Sequence, residues 1–332
     1  MRGFSVSEER YAINGVELNV STAGDPAAPA VVLLHGFPEC AWSWRHQMQP
    51  VAAAGYHVLA PDQRGYATSS APRDVEAYGI RALCGDVVAL LDATEHDDAV
   101  VVGHDWGALV MWDLARLHPE RLRAAIGVSV PYTPWPVPPT ELFRALHGDN
   151  FFYILYFQDV GPAEAELEAD VDVTMRAMLW GASGDGAPAA PAHPLPARGT
   201  GFLDVIAAAG PVPAELPPWL TAADLETYVD AFERSGFCGP LSWYRNMDAN
   251  HDVVKELPAP ALPTAFIGGT KDLVTAGRPG YVESMTSLLP DHRGSVLLDG
   301  VGHWTQQEAP GAFNEALLTF LRGLDPHCAS SR

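Results

Sequence analysis

Residues 98–115, DAVVVGHDWGALVMWDLA, form an apolar, β-branched run that breaks at a tight Gly-His-Asp-Trp-Gly corner and resumes with helical periodicity. A continuous apolar run of this length suits a strand buried on both faces, and the helical pattern after it supplies the cover for one face. Similar runs recur at AVVLLHGF (30–37), YHVLAPD (56–62), LRAAIGVSV (122–130), PTAFIGGT (263–270) and GSVLLDG (294–300), all read as central parallel strands. Helical patterns at 79–94, 108–118 and 311–324 alternate with them. The class is therefore α/β, a mostly parallel sheet with helices on both faces. At the start, RYAINGVELNVSTAG alternates apolar and polar residues around Asn14-Gly15, a turn dipeptide that predicts a hairpin.

The alternation of strand and helix fails between about residues 131 and 246. That stretch opens with PYTPWPVPP, continues with helix-like aromatic and acidic segments, and contains no core strand. It reads as a helical lid, 132–246, inserted after the sixth main strand of a core formed by 1–131 and 247–332. Inside it, GASGDGAPAAPAHPLPARGTG (181–201) reads as a flexible linker, and the terminal HCASSR as a frayed tail.

The formal charge of −21 repels phosphate backbones and anionic lipid surfaces, so no nucleic-acid or membrane partner is expected. No apolar run approaches the ~20 residues of a membrane helix, and the first thirty residues lack the apolar segment of a secretory signal. Cys40, Cys84, Cys238 and Cys328 are scattered without a Cys-x-x-Cys pair, which fits reduced thiols in a cytoplasm better than a disulfide scaffold or a zinc site.

Gly103-His104-Asp105-Trp106-Gly107 has the form G-x-(nucleophile)-x-G between strand and helix, the context of a nucleophile elbow. Taken with HGFPE (35–39), DQRGY (62–66), GHDWGA (103–108), YILYFQDVGPAEAELE (153–168), GFCGPLSWYRN (236–246), KD (271–272) and GHWTQ (302–306), the chain resembles the α/β-hydrolase superfamily from about residue 11 to 323. Within it the resemblance is to the soluble epoxide hydrolases of the aspartate-nucleophile branch. It implies an eight-stranded α/β-hydrolase core with an inserted helical lid, no cofactor and no metal. It also implies an enzyme of detoxification type, a monomer or homodimer, that adds water to a small apolar epoxide to give a vicinal diol.

The residue chemistry agrees with that resemblance. Asp105, with a reference pKa of about 3.9, is ionised at neutral pH and needs no base to activate it. A carboxylate attacking an sp³ carbon gives an alkyl ester, so an epoxide or alkyl halide is the electrophile. Opening an epoxide releases an alkoxide about as basic as hydroxide, whose parent water has a pKa of about 15.7. A tyrosine phenol near ~10 therefore donates its proton downhill, by up to ~7 kcal/mol at full transfer.

By composition Tyr153 and Tyr156, both in NFFYILYFQ, are equal candidates for that donor; the family register selects Tyr153, with Tyr244 as its partner. His303 and Asp272 follow the last two predicted strands in the superfamily order of nucleophile, acid and histidine. His303 would draw a proton from water attacking the ester while Asp272 orients the ring. By resemblance, the backbone N–H groups of Phe37 and Trp106 form the oxyanion hole, and the peptide before Pro38 is often cis in the family. His35 and His104 read as braces.

Three features depart from the pattern. Ala67-Thr68-Ser69 follows DQRGY, His251-Asp252 stand where relatives carry an aromatic, and the 181–201 loop is unusual in composition. They bear on substrate size, as do the lid aromatics Phe151, Phe152, Trp180 and Trp219. The alternatives are a haloalkane dehalogenase, which shares the Asp and its following Trp but needs no tyrosine pair, and a non-catalytic ligand-binding protein on the same scaffold.

Overall fold

The computed structural model describes residues 5–186, 196–276 and 280–324. The terminal HCASSR, Cys328 with it, and the middle of the 181–201 loop lie outside the described residues. Eight strands form one sheet: β1 (Ser7–Ile13), β2 (Val16–Ala23), β3 (Ala30–Leu34), β4 (His57–Pro61), β5 (Ala99–His104), β6 (Leu122–Val128), β7 (Thr264–Gly269) and β8 (His292–Leu298). Their spatial order is β1-β2-β4-β3-β5-β6-β7-β8. The β1-β2 and β2-β4 pairs are antiparallel, and all the others are parallel. The hairpin turns at Asn14 and Gly15, with φ of 45° and 77°; two successive positive φ values match the right-handed twist of the flanking strands.

Successive residues of the central strands serve two separate cores. Val32, Leu34, Leu59 and Val101 face the helices Ile80–Ala93 and Trp106–Leu117 and the aromatic residues beyond them. Val31, Leu33, Val58, Val100 and Ile126 face Trp44, Met48, Phe313, Leu317 and Leu321 on the other side. Neither face of β3 is open to water, which is why the strand reads as unbroken AVVLL. Each such side chain contributes about 1.5–3 kcal/mol on burial.

One strand differs from its reading. The GSVLLDG segment does form β8, parallel to β7, but it is an edge strand with one neighbour, not a central one. Val296 and Leu297 remain 43% and 44% exposed. An apolar run signals that a strand tolerates burial; it carries no information about how many neighbours flank it.

Between β6 and β7 the described residues form helices, from Pro139–His147 through Val171–Gly181, Ala222–Ser235 and Cys238–Arg245 to Met247–Val254, with one isolated antiparallel bridge between Asn150 and Ala197 and no strand of the sheet. Asp224 ties this segment to the sheet side: it accepts from Trp42 Nε1 at 2.8 Å and pairs with Arg45 at 2.9 Å. Among the described residues, no helix is long and apolar enough to cross a membrane.

The carboxyl ends of the parallel strands line up along one edge. In spatial order, the turns after β3, β5, β6, β7 and β8 carry Phe37, Asp105, Ser129, Asp272 and His303. Residues as far apart in sequence as Phe37 and His303 thus meet at one place, the edge where open α/β sheets bind ligands.

Candidate active site

Asp105 sits at the elbow with φ 51° and ψ −115°, a left-handed conformation unusual for any residue but glycine. The flanking glycines permit it. A Cβ on Gly103 would overlap the Gly107 carbonyl, and one on Gly107 would overlap the Leu34 carbonyl. The strand-to-helix reversal at this point therefore has no room for larger residues. The Phe37 N–H, on the turn after β3, donates to Asp105 Oδ1 at 2.9 Å, and the Phe37–Pro38 peptide is cis. Trp106 is the first residue of its helix and follows Asp105 directly in the chain, so its N–H has no intrahelical acceptor.

The second carboxylate oxygen faces His303, whose Nε2 lies 3.6 Å from Asp105 Oδ2. On the far side of the ring, Nδ1 lies 3.1 Å from Asp272 Oδ1 and 2.7 Å from Ser129 Oγ. Ser129 donates to Asp272 Oδ2 at 2.5 Å, and the Val274 N–H donates to Asp272 Oδ1 at 2.9 Å. Burial would drive the Asp105 carboxyl upward, but His303, His104 and the Phe37 N–H hold it below the usual carboxylate range. Burial would likewise depress His303, yet Asp272 and Asp105 together raise it well above the ordinary histidine value. The site thus stores an ion pair between the elbow carboxylate and the imidazole.

Two tyrosines from the helical segment adjoin this pair. Tyr244 is buried, with its ring centroid 4.9 Å from Trp106 and 5.6 Å from Phe37. Burial first, then the Asp105 charge and Tyr153, push its phenol well above the normal range, which places it within electrostatic reach of the carboxylate. Tyr153 starts a single helical turn, Tyr153–Tyr156, and its ring centroid lies 6.0 Å from that of Tyr244. Tyr156 turns elsewhere: its hydroxyl donates to Glu166 at 2.8 Å. The other residues singled out from the sequence thus connect to Asp105, Tyr153 by way of Tyr244, while Tyr156 bonds Glu166 instead.

The bracing histidines are wired as expected. His35 Nδ1 donates to the Gly36 carbonyl at 2.9 Å while its Nε2 accepts the Gln63 N–H at 3.0 Å, and burial lowers its pKa to about 4. His104 Nδ1 donates to Glu39 at 2.7 Å and its Nε2 to the His303 carbonyl at 2.8 Å. Burial opposes the Glu39 charge, but His104 holds its carboxyl below the usual range. Gln306 and Gln307 also donate to Glu39, at 3.2 and 2.6 Å.

Two contributors escape the sequence. Ser129 is an ordinary-looking residue after β6, and nothing in GVSVPY marks it. The start of the 181–201 stretch is more than a linker: the Ala182 carbonyl accepts the His303 N–H at 2.9 Å, and the Gly184 carbonyl accepts from Lys271 at 2.8 Å. Gly184 and Gly302 touch backbone to backbone, so the turn carrying His303 rests on the helical segment. Among the described residues, no group of three or more His, Cys, Asp or Glu is arranged to hold a metal ion.

Comparison with known proteins agrees with this geometry. Residues 29–169 match the alpha/beta hydrolase fold family. Epoxide hydrolase A of Mycobacterium tuberculosis is 48% identical over 323 residues, covering 96% of this chain and 98% of that protein. Epoxide hydrolase B of the same organism is 40% identical, covering 91% and 94%. The crystal structure of Epoxide Hydrolase A from Mycobacterium thermoresistibile superposes with a TM-score of 0.88 at 46% identity, over 97% of this chain and 99% of that one. With an elbow carboxylate in place of a serine and relatives of this name along nearly its whole length, the chain belongs to the epoxide hydrolases of the α/β-hydrolase fold.

Proposed function

We propose that this epoxide hydrolase works through a covalent alkyl ester on Asp105. The observation that carries the reading is the division of labour between the two Asp105 oxygens: Oδ1 is held by the Phe37 N–H at 2.9 Å, whereas Oδ2 faces outward toward His303 at 3.6 Å. Oδ2 is then the attacking atom. It forms a C–O bond to an epoxide carbon as the ring C–O bond breaks, and the departing alkoxide takes a proton from Tyr153 or Tyr244. Burial raises the Tyr244 phenol, but the same dry surroundings penalise an alkoxide at least as strongly, so the proton still moves downhill.

Ester formation changes the state of His303. In the resting site the imidazole is held protonated by two carboxylates; the ester erases the Asp105 charge and leaves only Asp272. The ring's proton affinity drops, its proton passes to the phenolate left by ring opening and restores the phenol, and the neutral Nε2 becomes available to draw a proton from water. That water attacks the ester carbonyl carbon, and the oxyanion develops on Oδ1, already aimed at the Phe37 N–H and beside that of Trp106. Each such donor is typically worth about 3 kcal/mol in the transition state. Collapse breaks the bond to the diol oxygen, which takes the remaining proton of the attacking water, and the proton gained by His303 restores the resting ion pair with the freed Asp105 carboxylate.

On this reading 132–246 acts as a lid that brings the phenols to the core. The scattered cysteines support a cytoplasmic enzyme, the family resemblance implies one of detoxification type acting as a monomer or homodimer, and the lid aromatics support small apolar epoxides as substrates. The test is a single turnover with enzyme in excess in ¹⁸O-water. Label is expected in the peptide containing Asp105, with an unlabelled first-turnover diol. Label in that diol, with none in Asp105, would reject the ester.

A further inference from the structure

Ser129 stands between the two residues proposed to drive the second half-reaction, and neither the resemblance nor the comparisons assign it anything. It is fully buried, so it has no access to substrate. It has φ 69°, again a left-handed conformation that non-glycine residues seldom adopt. That conformation ends β6: the Ser129 N–H donates to the Ile267 carbonyl of β7 at 3.1 Å, and the side chain projects from the strand's end toward the turn carrying Asp272. Strain kept in a buried polar residue at this edge calls for a compensating contact.

The hydrogen-bond count supplies it. The Ser129 hydroxyl has one proton, and a carboxylate can only accept, so that proton lies on the 2.5 Å contact to Asp272 Oδ2. The Ser129 oxygen is then free to accept at its 2.7 Å contact with His303 Nδ1, which is shorter than the 3.1 Å from Nδ1 to Asp272. We infer that Ser129 is a positioning residue inserted between acid and histidine. It accepts the His303 Nδ1 proton, donates to Asp272, and so fixes the tautomer that leaves Nε2 toward Asp105 and the attacking water. This rests on the ester mechanism above, in which His303 acts only after Asp105 has been alkylated. By geometry Ser129 touches no reacting atom and acts through His303 alone.

The step-specific prediction follows. Ser129→Gly removes the hydroxyl and suits φ 69°, whereas Ser129→Ala removes it while keeping the strain, so agreement between the two separates the hydroxyl from the backbone. In rapid-quench single turnovers, ester formation in both variants is expected within about twofold of the parent, and ester decay slower by about tenfold or more, the usual scale for a lost hydrogen bond to a charged group. In ¹⁵N-histidine spectra of the resting enzyme, the Nδ1–H resonance of His303 is expected to move in both variants. An unmoved resonance, or an ester that decays at the parental rate, would overturn the inference; so would equal slowing of formation and decay. Absence of any ester in the parent enzyme would instead reject the ester mechanism, and the resonance would still decide whether Ser129 holds the Nδ1 proton.

Discussion

The sheet edge and the helical segment above it hold their side chains by different means. At the sheet edge, Asp105, Ser129, Asp272 and His303 sit in turns after strands and are held by directional hydrogen bonds, Asp105 by the Phe37 N–H and the other three by one another and the Val274 N–H, with a 3.6 Å ion contact between the two groups. In the helical segment, Tyr244 is wedged among the rings of Phe37, Trp106, Phe157 and Tyr153, at centroid separations of 4.9 to 6.0 Å. Hydrogen bonds to charged groups fix angle as well as distance and contribute about 1.5–3 kcal/mol each. Edge-to-face ring pairs add about 0.5–1.5 kcal/mol and tolerate small displacements. On the proposed mechanism, an ion pair whose protonation alternates needs the first kind of support, and a phenol that gives its proton to the opening ring is served by the second.

The largest expected effects come from disabling each region separately. His303→Gln should lower turnover at least about a thousandfold while leaving alkylation intact, so that ester accumulates on Asp105. Tyr153→Phe combined with Tyr244→Phe should lower turnover on a similar scale with no ester formed. Quenched-flow mass analysis of the intact chain distinguishes the two. Ester accumulation in the tyrosine variant, or its absence in the histidine variant, would break the division between edge and lid.

A smaller effect should appear in stability against pH. The Asp105 carboxyl is held below its ordinary ~3.9, so its contribution is present above that pH and is lost as acid protonates it. The His303 imidazole is raised above its ordinary ~6.5, so its contribution is complete below that pH and is lost as alkali deprotonates it. The contact therefore stabilises most between about pH 4 and 6.5, with a decline above. In Asp105→Asn, where only Asp272 still holds the ring, that alkaline decline should be shallower in thermal midpoints measured across pH. Parallel curves would show that the edge stores no ion pair.

How much of this was legible follows the same divide. The elbow, the hairpin at Asn14-Gly15 and the order Asp105, Asp272, His303 are written in short motifs, because turn glycines and strand-end positions are local properties. Ser129 and the Ala182 carbonyl are not, since each acquires meaning only from residues over a hundred positions away. The edge position of β8 is equally long-range. The tyrosines fall between: FFYILYF announces packing, and periodicity does not separate the ring that packs on Tyr244 from the one whose hydroxyl bonds Glu166.

Tyr156 turns that ambiguity into the smallest effect expected. Its hydroxyl donates to Glu166 Oε2, a carboxylate that also accepts the Phe202 and Leu203 N–H groups at 3.0 and 2.9 Å. Burial, with Glu166 adding to it, raises the Tyr156 phenol, so its proton is held where it is and serves as a strut within the helical segment. Tyr156→Phe keeps the ring against Phe151 and Phe157 and removes only that bond. Stability should fall by about 1 kcal/mol, the usual net value of one hydrogen bond, with kcat/KM within about twofold of the parent. Tyr153→Phe, three residues earlier, should lower kcat/KM at least about tenfold with little change in thermal midpoint. If the two variants exchanged these signatures, the proton donor would be Tyr156, and the helical turn would have to rotate by about 60° to put that hydroxyl where Tyr153 now stands.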